Sequence, residues 1–131
     1  MTILVDTGPL YALAVPSDQY HKRAYAEVET LRRGSWQVTT LYPIVFETHS
    51  LLLRRMTPAR AHEWLDKTLQ EVNMLSPRAQ DYRDAVHKVT AYADQTLSLF
   101  DGLLAVTSER LELPIWTSDA DFDVMKANVW R

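Results

Sequence analysis

At 131 residues, 47% of them hydrophobic, the chain fits one domain, residues 1–131, with apolar content for a single core. With 24% charged residues and three glycines it does not read as disordered, and the absence of cysteine excludes disulfide frameworks, thiolate zinc sites and cysteine nucleophiles while fitting a reducing cytosol. The net charge of −3 is not the basic excess that marks most nucleic-acid binders.

Met1 to Asp6 carries no positive n-region, so no signal peptide is expected, and no apolar run approaches the roughly 20 residues of a membrane span. Residues 2–6 read instead as a short buried strand, broken by Thr7-Gly8-Pro9, with Pro9 placed to start a helix. Asp18 is positioned as N-cap of a helix over 19–33, with Tyr20, Ala24, Val28 and Leu31 on one stripe and Gly34 as its stop. Gln37 to Leu41 has the β-branched content of a strand; Pro43 opens a helix running to Met56. Thr57-Pro58 starts a helix ending near Glu71, and Val72 to Leu75 reads as a strand. Ser76-Pro77 starts a helix toward Ala93, and Ser98 caps another over 99–112. Ile115 to Thr117 reads as a strand, followed by a short turn or helix and a weak edge strand from Asn128 to Trp130. This alternation predicts an α/β fold with a mainly parallel sheet, in which ligands bind beyond the carboxyl ends of the strands.

Four carboxylates stand out against that outline. Asp6 follows Ile3-Leu4-Val5 directly, and Asp119 follows Ile115-Trp116-Thr117 by two residues, so both fall at strand ends. Each alone is equally explained as a helix cap or a turn residue. Glu47 shares its helix face with Ile44 and Leu51, and Asp101 shares one with Leu97, Leu104 and Ala105. An unpaired carboxylate on such a face needs an arginine, a hydrogen-bond network or a metal. Neither helix supplies a cation within a turn on that face, although another part of the fold could. If all four converge, like charges so close require a compensating cation. Oxygen ligands without cysteine or a spaced histidine pair select Mg²⁺ or Mn²⁺ over zinc. Such ions bind phosphate oxygens, generate hydroxide from water and neutralise a leaving oxygen, which suits phosphodiester hydrolysis without requiring it. Two of them would also more than offset the formal charge of −3, so the acidic balance does not exclude a nucleic-acid substrate.

Four motifs in this order resemble the PIN-domain nucleases: Leu4-Val5-Asp6-Thr7 with Gly8-Pro9-Leu10; Phe46-Glu47-Thr48; Phe100-Asp101-Gly102-Leu103-Leu104-Ala105; and Trp116-Thr117-Ser118-Asp119-Ala120-Asp121-Phe122. The last is the most specific and the glutamate motif the least. Lacking appended domains, the chain is similar to the VapC toxins of prokaryotic toxin–antitoxin systems. The resemblance implies a three-layer PIN-like fold and a cytoplasmic, Mg²⁺- or Mn²⁺-dependent endoribonuclease. It also implies a small antitoxin partner and a homodimer. Carried over residue by residue, Asp6, Glu47, Asp101 and Asp119 match the catalytic metal ligands, Thr117 a supporting hydroxyl and Asp121 a secondary acid. Gly102 departs from the alanine of many members, and its cost of about 1 kcal/mol in a helix would loosen that turn.

The remaining polar residues carry less. Arg54 and Arg55 leave the helix of Glu47 and are the candidate RNA-binding cations; Lys22, Arg23, Arg32, Arg33 and Arg60 read as solvated helix faces. His21, His49, His62 and His87 lack partners at metal-ligand spacing. Tyr42 and Trp116 are candidates for base stacking by residue type alone. No serine sits in a nucleophile-elbow context, and Gly8 stands where an aspartate-nucleophile phosphatase places a second aspartate. An RNA-processing PIN nuclease outside a toxin system, and a non-catalytic PIN-like binding module, are the competing functions.

Overall fold

Ile3, Leu4 and Val5 are wholly buried, which requires that the strand carrying them be covered on both faces and paired on both edges. The computed structural model, which describes residues 1–131, shows this arrangement. Strand β1 (Thr2–Val5) leads through α1 (Thr7–Ala14) and α2 (His21–Arg33) to β2 (Gln37–Leu41). Next come α3 (Tyr42–Leu52), α4 (Pro58–Glu71) and β3 (Asn73–Leu75), then α5 (Ala79–Thr90), α6 (Leu99–Leu111), β4 (Ile115–Trp116) and α7 (Asp121–Val124). The strands lie in the order β3-β2-β1-β4, all parallel. Parallel neighbours need long crossovers, and helices supply them. The fold is α/β, as the alternation of signals predicts.

Register sets the functional end of the molecule. Leu4 pairs with Thr39 on one side and Ile115 on the other, and Val5 pairs with Trp116. The carboxyl ends of β1 and β4 are therefore side by side. Beneath them the core gathers Ile3, Leu4, Val5, Leu41, Ile44, Leu104, Ile115, Trp116 and Phe122.

Several element boundaries differ from the sequence expectation, each for a local reason. The second helix opens at His21, not residue 19: the Asp18 carboxylate accepts the Tyr20 N–H at 3.0 Å and its carbonyl accepts the His21 N–H, forming a turn that leaves Tyr20 exposed. Helix α3 stops at Leu52, four residues short of Met56, where Arg54 and Arg55 donate to carbonyls three residues back and tighten the chain into a turn. Helix α5 begins at Ala79 because Asp81 accepts the Arg78 N–H at 2.8 Å and fixes the first turn there. The last expected strand is a single parallel bridge between Val129 and Ile115. Where the signal is a cap followed by proline, expectation and structure agree: Thr57 accepts the Arg60 N–H, and Ser98 accepts the Asp101 N–H.

Helices α5 and α6 pack closely, and two residues explain it. A Cβ on Gly102 would lie 2.6 Å from Val89 Cγ1 and 3.0 Å from the Ala85 carbonyl oxygen. Gly102 thus permits the close approach and does not merely loosen a turn. Asp81, fully buried, takes a two-pronged bond from Arg110 at 2.9 and 2.8 Å. Burial pushes the Asp81 carboxyl up, but Arg110 and Arg78 outweigh it and hold it below the usual range.

Candidate active site

Parallel strands deliver the first two acids to one place. Asp6 follows β1 and occupies the N-cap position of α1, yet its side chain makes no capping bond. It accepts the Thr117 hydroxyl at 2.8 Å instead, across the gap between β1 and β4. The same Thr117 oxygen accepts the Asp119 N–H at 3.0 Å, so one hydroxyl links two of the predicted residues. Asp119 in turn accepts the Asp121 N–H at 2.9 Å, a turn that launches α7. Asp101 enters from the first turn of α6, held by reciprocal bonds with Ser98: its N–H donates to the serine hydroxyl and its carboxylate accepts the Ser98 N–H. Glu47 comes from the middle of α3 and accepts the hydroxyl of Thr7.

These side chains share one cavity of about 500 Å³, whose walls include Asp6, Glu47, Asp101 and Asp119. Asp121 is not in that wall, but its carboxylate lies with those of Asp101 and Asp119 within 4.8 Å of one another. A larger cavity, about 600 Å³, lies along α5 and α6, but the Asp81, Arg78 and Arg110 charges there are already paired with each other. The acid cavity has no such relief. None of the seven ion pairs in the molecule reaches Asp6, Glu47, Asp101 or Asp119.

The electrostatic consequence is direct. Asp6 is only 4% exposed, and burial pushes its carboxyl up to about 7, against the bonds from Thr117 and the Thr7 backbone; Asp101 and Glu47 add repulsion. Asp101 is pushed up to about 6, by burial first and then by the charge of Asp119. Glu47 is raised by burial, with the Thr7 hydroxyl working against it. Buried carboxylates that repel one another and meet no lysine or arginine are a donor set for a cation. All the donors are oxygen, which fits a hard divalent ion.

Sequence reasoning missed several neighbours. Thr7 and Ser98 orient the two helical acids, and both sit in motifs that were visible: Thr7 follows Asp6, and Ser98 stands three residues before Asp101 as in a capping box. Tyr11, Asp18 and Tyr20 also line the acid cavity, and nothing in their spacing marks them. Trp116 is 1% exposed and is therefore unable to stack on a base. Arg54 and Arg55 lie outside the acid cavity, at the turn after α3, where they border an adjoining groove.

The PIN domain family matches residues 3–128. No curated protein sequence matches the chain. Among solved structures, VapC20 of Mycobacterium tuberculosis, a Sarcin-Ricin loop cleaving toxin, is similar over 95% of both chains with a TM-score of 0.82 and 21% identity. VapBC2 of Rickettsia felis, bound to a DNA fragment from its promoter, is similar over 100% of this chain and 98% of that one, with a TM-score of 0.76 and 12% identity. FitAcB of Neisseria gonorrhoeae is similar over 98% and 96%, with a TM-score of 0.70 and 17% identity. At these identities the likeness concerns the fold.

Proposed function

Since the chain belongs to the PIN domain family, we propose that it is a divalent-metal-dependent endoribonuclease, the toxin of a VapBC-type toxin–antitoxin pair. The observation that carries this reading is the cavity walled by Asp6, Glu47, Asp101 and Asp119, buried in part and free of any basic partner. In this reading Asp6, Glu47 and Asp101 hold the principal Mg²⁺ or Mn²⁺, and Asp119, with Asp121 beside it, completes that site or holds a second ion. When bound, the metal supplies an acidified water and positive charge against the departing 3′ oxygen.

The chain's own residues do the rest. Thr117 fixes Asp6 and the backbone of Asp119 from one hydroxyl, Ser98 fixes Asp101, and Thr7 fixes Glu47. Such anchoring keeps the acids in place when the phosphodiester arrives. Arg54 and Arg55 attract the RNA strand. The proposal extends to a cytoplasmic homodimer held in check by a cognate antitoxin, and to residues 1–131 acting as one domain. Support comes from the fold shared with VapBC2 and FitAcB, and from the likeness to VapC20, a Sarcin-Ricin loop cleaving toxin.

Labelled RNA incubated with the purified protein and Mg²⁺ or Mn²⁺ tests the reading. Cleavage giving 5′ phosphate and 3′ hydroxyl ends is expected, abolished by EDTA and by Asp101→Asn with the fold intact. Full activity of Asp101→Asn would overturn it.

A further inference from the structure

The acid cavity does not end at the carboxylates. A second cavity, about 300 Å³, is lined by Thr7, Gly8, Tyr11, Leu51, Arg54 and Arg55, and its walls are almost wholly apolar. Thr7, Gly8 and Tyr11 line both. The carboxylates and this slot thus share the walls formed by Thr7, Gly8 and Tyr11, and the slot is lined with hydrocarbon to which Arg54 and Arg55 also contribute.

Three features of the slot point to one kind of occupant. Leu51 is 38% exposed although large and apolar, so its hydrocarbon lacks cover. Arg54 and Arg55 are exposed and belong to none of the molecule's ion pairs; Arg55 reaches only the Ser17 hydroxyl, at 3.5 Å. Acid pocket, apolar slot and free cations follow one another, and a nucleic-acid strand alternates phosphate, base and phosphate. An apolar peptide side chain would fill the slot but leave both guanidinium groups without an anion.

We infer that this slot is a subsite for one unpaired nucleotide flanking the scissile phosphate. Its base lies against the Tyr11 ring and Leu51, and the phosphate beyond it meets Arg54 and Arg55. The inference rests on the nuclease reading and adds to it the residues, Tyr11 and Leu51, that contact the nucleotide beside the cut.

The test uses a labelled single-stranded RNA of mixed sequence, and the same RNA carrying an abasic residue on either side of the mapped cut. With wild type, the abasic residue on one side raises KM about tenfold, with kcat changed less than about twofold. Tyr11→Ala raises KM by a similar factor, and the abasic residue then adds no further loss; Tyr11→Phe, which keeps the ring, keeps the loss that the abasic residue causes. Leu51→Glu, at an exposed position, reproduces the rise in KM and reads the slot independently if Tyr11→Ala fails to fold. RNA cleavage with KM unaltered in the folded variants, or with additive abasic losses, overturns the subsite alone. Unchanged RNA kinetics together with lost binding of a protein partner assigns the slot to a peptide and overturns it equally. No RNA cleavage by wild type with either metal defeats the nuclease reading, and the subsite with it.

Discussion

Asp6 shows what burial does to one carboxyl and how the fold answers it. Its folded value, about 7, stands well above the ordinary 3.8, so between those values the folded chain holds a proton that the unfolded chain releases. Stability of the metal-free protein therefore falls as pH rises through that window, because the unfolded state is the one that ionises freely. Asp6→Asn removes the penalty while keeping an acceptor for the Thr117 hydroxyl. In EDTA at pH 8 the variant is expected to melt at least about 3 °C above wild type, a difference that vanishes near pH 4. A variant no more stable than wild type at pH 8 would mean that Asp6 is not strained by burial. That Asp6 is special was legible in sequence from its place after three apolar residues. Its bond to Thr117 was not, because the partner is 111 positions away and only the register of β1 with β4 joins them.

At the scale of elements, the α5–α6 pair shows where a propensity argument fails. Alanine is a better helix former than glycine by about 1 kcal/mol, so Gly102→Ala read from sequence would stabilise α6. The added carbon would meet Val89 and the Ala85 carbonyl oxygen within contact distance, and backbone does not yield cheaply. Overpacking of this kind costs about 1–3 kcal/mol, more than the propensity gain. Urea unfolding is expected to show Gly102→Ala less stable than wild type; a gain in stability would mean that the two helices can separate without loss. The elements themselves were legible where local chemistry decides them, as with Thr57-Pro58 and Ser98. Their ends were misread where the deciding contact is a side chain turned back on its own turn, as with Asp18 before α2 and Asp81 in α5.

For the whole molecule, the proposed metal site implies that cation binding at the acid cavity releases protons. A divalent ion requires ionised carboxylates, and Asp6 and Asp101 hold their protons to about 7 and about 6. Added Mn²⁺ is expected to raise the melting temperature at pH 8, by an amount equal to about 2.7 kcal/mol of binding at a hundredfold excess over Kd. The shift should shrink steeply toward pH 5.5. A shift independent of pH would place the ion elsewhere. The parallel α/β class was legible because strands and helices alternate along the chain. The strand order, with β1 between β2 and β4, was not, since no local pattern says which strands become neighbours. That order also governs assembly in time. During synthesis Asp6 emerges among the first residues, but the hydroxyl that steadies it and the strand that flanks it emerge more than a hundred residues later. A nascent chain therefore carries its acids dispersed, and the acid cavity forms only once β4 has left the ribosome and closed against β1.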